Sequence, residues 1–234
     1  MLQAIDLVKN YDQHSALKGL NLTVNPGDVF CLLGANGAGK STTINLFLNF
    51  ILPTSGTPLV NGLDVCVHPR ESKQLLGYIP EQVMLYKELT GLENLAYFAS
   101  LGRRRSLSQN ELKDLLTRVN LAEDSWVRPV AIYSKGMRQK VAIAVALAKN
   151  AKAFLFDEPT SGLDPKASND FSDIIRQLQA EKAAILMATH DLFRARESGT
   201  HLGIMKQGLL VETLQASSVD NSELEQLYLR HMHE

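Results

Sequence analysis

The spacing of apolar and polar positions divides the 234-residue chain into three stretches. The first is β-rich. Apolar residues alternate or cluster over residues 4–8 and 20–24, which predicts strands. Asn25-Pro26-Gly27-Asp28 reads as a turn, and residues 29–33 as a short buried strand. A helix is expected from about residue 40 to 48. Pro53-Thr54-Ser55-Gly56 breaks it, and a strand returns at 59–61. The middle stretch has helical signals from about 90 to 121. Ser108 and Glu111 form a capping box ahead of Leu112, Leu115 and Leu116. Ser134 opens a further helix running through 141–147.

The last stretch alternates again. It predicts a strand at 153–156, a helix at 166–181, a strand at 184–188 and a short helix near Leu192. A strand at 202–205, a turn at Gln207-Gly208, a final strand and a terminal helix over 222–232 complete it. Strands alternating with helices predict an α/β fold around a largely parallel, covered sheet. Residues 1–80 and 150–234 would form its core and residues 85–149 a helical insert, with a C-terminal helical segment from about 215. No repeat at a solenoid period interrupts this order.

Composition changes the picture little. Hydrophobic residues make up 45% and charged residues 21%, an ordinary globular balance that buries a core without staples. A formal net charge of −1 gives no long-range attraction for nucleic acid or anionic lipid. Cys31 and Cys66 lack metal-site spacing, and Cys31, inside an apolar run, reads as a small buried thiol. Met1-Leu2-Gln3-Ala4 leads straight into a strand-like stretch, so no signal segment is expected. No run approaches the ~18 apolar residues that span a bilayer. Membrane work would need another chain to supply the path.

The sharpest chemical signal is Gly34-Ala35-Asn36-Gly37-Ala38-Gly39-Lys40-Ser41, followed by Thr42. Glycines let the backbone curl so that successive N–H groups converge on a triphosphate. A helix starting at Lys40 adds its positive end. Lys40 supplies a mobile charge to the outer phosphates, and Ser41 a hydroxyl for Mg²⁺. The second signal is the apolar run ending in Asp157-Glu158. Two acids at a strand tip repel each other and lose hydration, so a purely structural explanation is weak. Asp157 is expected to hold the Mg²⁺ hydration shell and Glu158 to polarise an attacking water. His190 also closes a strand at the end where open α/β sheets bind ligands, placed to hold Glu158 and the γ-phosphate.

Tyr133-Ser134-Lys135-Gly136-Met137-Arg138-Gln139-Lys140, Ser161-Gly162-Leu163-Asp164 and His190 complete an ordered set. Together with the glycine loop and the acidic strand tip, they resemble the ABC ATPases, and the likeness covers most of the chain. It implies a P-loop NTPase core with an N-terminal antiparallel β subdomain and an α-helical signature subdomain. The signature departs from the commonest form, L-S-G-G-Q: Tyr133 replaces leucine, Lys135 the first glycine, and Met137 glutamine. Ser134 and Gly136 remain. By resemblance, Ser134, Gly136, Met137 and the D-loop Asp164 of one subunit close over the ATP of another. Tyr11 corresponds to an aromatic that stacks on adenine, though a tyrosine after a strand serves equally in a core. Gly77-Tyr78-Ile79-Pro80-Glu81-Gln82 resembles the Q-loop with a shift. Either Glu81 takes the place of the usual glutamine or Gln82 serves after a one-residue slip; Gln82 is preferred, as a neutral amide suited to Mg²⁺ and water.

The resemblance, nearest to bacterial ABC-2-type exporter ATPases, implies an ATPase using ATP and Mg²⁺. It implies a head-to-tail dimer with a second ATPase subunit, whether identical or not. It also implies a transmembrane permease as partner, at the cytoplasmic face of the membrane, with no nucleic acid. The alternative is a soluble ABC ATPase outside transport. Known members of that kind carry tandem ATPase domains with a charged linker, or long coiled coils, and neither pattern occurs here. Arg103-Arg104-Arg105 reads as a solvated face or a contact for headgroups or partner, His231 and His233 as exposed, and Trp126 as packing.

Overall fold

The computed structural model describes residues 1–101 and 107–233, with nothing of the His233 side chain; the arginine run at 103–105 lies outside the described residues. The chain opens with β1 (Leu2–Tyr11) and β2 (His14–Val24), an antiparallel hairpin turning at Asp12-Gln13. Next come β3 (Val29–Leu33), α1 (Lys40–Phe47), β4 (Ser55–Val60) and β5 (Leu63–Asp64). Strands β2-β1-β4-β5 make a four-stranded antiparallel sheet. The hairpin strands are longer than the apolar pattern predicts because bulges at Asp6 and beyond interrupt the alternation without ending the pairing. Strand β4 begins at Ser55, inside the segment read as a breaker. Gly56 sits at φ 79°, and a β-carbon there would lie 2.2 Å from the Asp6 carbonyl oxygen. That glycine marks close strand approach rather than a loop.

Helix α2 (Pro69–Leu75) and strand β6 (Leu76–Ile79) follow, both missed by the pattern. Helices α3 (Gly91–Leu101), α4 (Gln109–Arg118), the single turn α5 (Glu123–Trp126) and α6 (Lys135–Ala148) form the helical insert. The capping box of α4 forms as expected: Ser108 Oγ accepts from the Glu111 N–H, and Glu111 accepts from the Ser108 N–H at 2.8 Å. Trp126 is buried and donates from its indole to the Leu121 carbonyl at 2.8 Å.

The chain returns through β7 (Ala153–Asp157), α7 (Pro165–Ala180), β8 (Ala184–Thr189), α8 (Leu192–Ser198), β9 (His201–Lys206), β10 (Leu209–Gln215) and α9 (Asn221–His233). Here the predicted elements stand within a residue or two of their places, except that β10 extends to Gln215 and a short 3-10 turn precedes α9. His231 is not exposed as read: it is half-buried, with Nε2 3.5 Å from Glu212.

The second sheet has order β10-β9-β3-β8-β7-β6 and is parallel except at its β9–β10 edge. Buried Val29, Cys31, Phe154, Phe156, Ile185 and Met187 pack one face against α6, α7 and α8. Phe30, Leu32, Leu155 and Leu186 pack the other against α1 and the antiparallel sheet. This double coverage explains why the central strands read as continuous apolar runs. Cys31 is fully buried, and burial pushes its thiol up to about 12. We expect Cys31 to resist iodoacetamide at pH 8 in the folded protein and to react once urea unfolds it, as read by mass of tryptic peptides.

Candidate nucleotide site

Strands β8 and β7 and strand β3 run parallel side by side, so their carboxyl ends meet at one edge. Leu33 pairs with Thr189, and Asp157 with Ala188. Three loops therefore leave the sheet together: the glycine loop after β3, Glu158 after β7 and His190 after β8. The glycine loop turns into α1 through Gly37 at φ 82° and Gly39 at φ 110°. A β-carbon on Gly39 would lie 2.7 Å from the Ala16 carbonyl oxygen, whereas one on Gly37 would meet nothing within 4 Å. Gly39 is fixed by crowding, and Gly37 by its left-handed backbone beside open space.

This loop forms one wall of a cavity of about 310 Å³. Ala35, Asn36, Gly37, Ala38, Gly39, Lys40, Ser41 and Thr42 line it, with Tyr11, His14, Ala16, Glu81, Asp157 and Glu158. Gly34 lies just behind, buried at the root of the loop. Lys40 is 6% exposed; its ammonium donates to the Gly34 carbonyl at 2.6 Å and lies 3.7 Å from Glu158 Oε1. The other carboxylate oxygen of Glu158 is 2.8 Å from His190 Nδ1, and His190 is largely exposed. Glu158 is thus clamped between a buried cation and an exposed imidazole. Its backbone sits at φ 46°, left-handed for a non-glycine residue, with its N–H on the Ala188 carbonyl at 2.8 Å. Strain of this kind costs of order 1–3 kcal/mol and persists where surroundings over-determine it.

Ser41 Oγ donates to Asp157 Oδ1 at 3.0 Å. Burial pushes the Asp157 carboxyl above its ordinary range; Ser41 and Lys40 pull it down, and Glu158 and Glu81 push it further up. Among the described residues no group of three His, Cys, Asp or Glu side chains is spaced to hold a metal alone. A hydroxyl and a carboxylate side by side suit instead an Mg²⁺ that keeps waters and takes its remaining ligands from phosphate. The donor set fits the expected cofactor.

The family model described as ABC transporter matches residues 17–161, well over half of the chain. The chain belongs to the ABC transporter ATP-binding family. The ABC transporter ATP-binding protein NatA of Bacillus subtilis (strain 168) is 41% identical over 180 residues, which is 75% of this chain and 72% of that protein. ABC transporter A family members of Arabidopsis thaliana also match, but the alignment spans only 21% of their length. A solved ATP-binding subunit of an ABC transporter superposes with a TM-score of 0.84 at 30% identity over 98% of each chain. An ATP-binding cassette solved as a dimer in a post-hydrolysis state, bound to ADP and Pi, superposes with a TM-score of 0.82 at 26% identity. That match covers 92% of this chain and 99% of the other.

The remaining ABC motifs divide between two places. Tyr11 ends β1 beside the cavity, 43% exposed, with the Lys9 ammonium 4.8 Å from its ring centroid. It is not core. Ser134, Gly136 and Met137 lie at the start of α6, outside the lining of the phosphate cavity. Ser134 Oγ caps α6 by accepting from the Met137 N–H at 3.2 Å. The Asp164 carboxylate caps α7 by accepting from the Ala167 N–H at 2.9 Å. Tyr133 is buried, and its hydroxyl donates to the Ser125 carbonyl, a bond leucine cannot make.

At the Q-loop the two candidate side chains line different walls. Glu81 lines both the phosphate cavity and a neighbouring cavity of about 460 Å³, whereas Gln82 lines only the neighbouring one, with Lys135 and Arg138. His14, beside Tyr11 at the hairpin tip, was also missed; its only sequence signal is its distance of three residues from Tyr11.

Because Asp157 titrates higher folded than unfolded, it favours the folded state below the ordinary aspartate range, and that contribution is lost as pH rises through the raised value. At neutral pH the ionised group opposes folding. We expect Asp157→Asn to raise the melting temperature of the nucleotide-free protein at pH 7.5, with the gain shrinking toward pH 4. The same variant should lose the added stabilisation that Mg²⁺ gives over nucleotide alone. Differential scanning fluorimetry reads both.

Proposed function

We propose that this chain is the ATP-hydrolysing motor subunit of an ABC exporter of the ABC-2 type, converting ATP and water to ADP and phosphate. It would work at the cytoplasmic face of a membrane through a separate transmembrane permease. The observation that carries the reading is Glu158, clamped by Lys40 and His190 at the mouth of the phosphate cavity. Support for the permease comes from the transporter relatives, and no helix of the described residues is long and apolar enough to cross a membrane.

Backbone N–H groups of the glycine loop and the α1 N-terminus bind the triphosphate, and Lys40 leaves its carbonyl partners to neutralise the outer phosphates. Thr42 and Ser41 follow within the first turn of α1. Tyr11 offers the ring face opposite Lys9 to adenine. Ser41 and Asp157 would hold Mg²⁺, with Glu81 lining the same cavity; when bound, the ion would supply charge neutralisation at the transferring phosphoryl group. Glu158 accepts the proton of the attacking water, and His190 fixes its carboxylate through Nδ1 while leaving Nε2 for the γ-phosphate.

No residue of α6 lines the cavity, so the start of α6 in a second copy is the candidate lid. Its Ser134 hydroxyl, Gly136 and Met137 would close over the γ-phosphate, with Asp164 alongside, in a head-to-tail dimer. A similar cassette solved as a dimer, bound to ADP and Pi, supports pairing of two copies. ATP would join the two subunits and its hydrolysis release them, a switch driven by differential contacts.

Glu158→Gln should lower Mg²⁺-dependent phosphate release by about 10²-fold or more while retaining ATP binding and accumulating a dimer on size-exclusion chromatography with ATP. Near-normal hydrolysis in that variant, or none in the unaltered protein, would remove this assignment. For the Q-loop, we expect Glu81→Ala to raise the Mg²⁺ concentration for half-maximal hydrolysis several-fold. Gln82→Ala should leave that concentration within about twofold, because only Glu81 of the two lines the phosphate cavity.

A further inference from the structure

The start of α6 is tied to the loop that follows Glu158 by two side chains of its own. Lys135 Nζ donates to the Ser161 carbonyl at 2.5 Å. Gln139, four residues on and therefore on the same helix face, donates its amide to the Pro159 carbonyl. The loop is itself a closed turn: the Ser161 N–H reaches the Glu158 carbonyl at 3.3 Å, and Ser161 Oγ lies 3.4 Å from Glu81 Oε1. Beneath, Gly136 packs so closely on α7 that a β-carbon there would lie 3.0 Å from the Ala167 side chain. Lys135 has no ion pair among the described residues, so its charge is committed to a carbonyl of this turn.

We propose that Lys135 is a positioning residue that couples the start of α6 to the catalytic turn 158–161 of its own subunit. A glycine, which the commonest signature form carries at this place, has no side chain to make the link. Lys135 does not line the nucleotide cavity, so it acts on turnover through Glu158 rather than on nucleotide affinity. When the start of α6 meets the nucleotide of a second copy, the Lys135–Ser161 bond carries that displacement three residues along the chain to Glu158. A charged donor on a carbonyl is stronger than a neutral bond and suits a link that must hold while the helix moves. The inference rests on the motor reading above.

The test compares Lys135→Met, Lys135→Ala and Lys135→Arg in the full chain. Methionine keeps the length of the stem and removes the donor; arginine keeps a charged donor. We expect the methionine and alanine variants to lose about tenfold or more in kcat, the size of loss that small misplacement of a reacting group causes. Their KM, and their Kd for a fluorescent ATP analogue, should stay within about twofold. Arginine should restore at least half of the lost rate. Melting curves identify any variant that has merely lost its packing, and the methionine variant decides the matter if alanine unfolds. Full kcat in the methionine variant, or a loss that falls on KM and Kd with kcat intact, would overturn the proposal. Glu158→Gln tests the motor reading without reference to Lys135. If the unaltered chain hydrolyses ATP, that variant does not, and Lys135→Met matches the unaltered chain, then only the link is lost.

Discussion

Parallel pairing of β3, β8 and β7 is the constraint from which the site follows. In a parallel ladder the strands leave the sheet at the same end, and here three consecutive ones deliver the glycine loop, Glu158 and His190 to one edge. No side chain of the site could reach its neighbours if one of these strands ran the other way. The ladder is stable because both faces are covered, by α6, α7 and α8 on one side and by α1 and the antiparallel sheet on the other. Burial of the whole strand length is therefore the thermodynamic condition for a working edge.

Electrostatics at that edge is poised rather than settled. Asp157, Glu158 and Glu81 face the same cavity as a single buried lysine. Burial pushes Asp157 toward protonation, and the neighbouring Glu158 and Glu81 carboxylates push it the same way. A divalent cation would relieve that repulsion, and a triphosphate would turn the lysine outward from its carbonyl partners. The folded chain thus holds an unfavourable charge arrangement that its ligands would make favourable, which is how binding energy acquires control over conformation.

Legibility from sequence followed how local each signal was. The glycine loop, the acid pair and His190 were legible because each is a short run fixed by chain chemistry: glycines where φ is positive, acids after an apolar run, a histidine at a strand tip. The central strands were legible because burial on both faces removes alternation. Strand β6 was not. Its segment Leu76-Gly77-Tyr78-Ile79 is four residues long and contains a glycine, and only pairing with β7 makes it a strand. The start of β4 was hidden because Gly56, read as a breaker, is required by the closeness of Asp6. That Glu81 rather than Gln82 lines the phosphate cavity was hidden too, because both residues lie in bends whose side-chain directions no local pattern supplies.

The departures from the commonest signature then take on physical meaning. Tyr133 spends its hydroxyl on the Ser125 carbonyl and locks the base of the helical insert, while Lys135 reaches out of α6 to the turn after Glu158. One substitution fastens the helix to its own subdomain and the other fastens it to the catalytic core. A side chain on Gly136 would press on α7, its β-carbon 3.0 Å from the Ala167 side chain. Tyr133 and Lys135 thus bond within the chain on either side of the cap residue Ser134. The start of α6 is in this sense a tip held from behind, by the Tyr133 hydroxyl on one side and the Lys135 ammonium on the other.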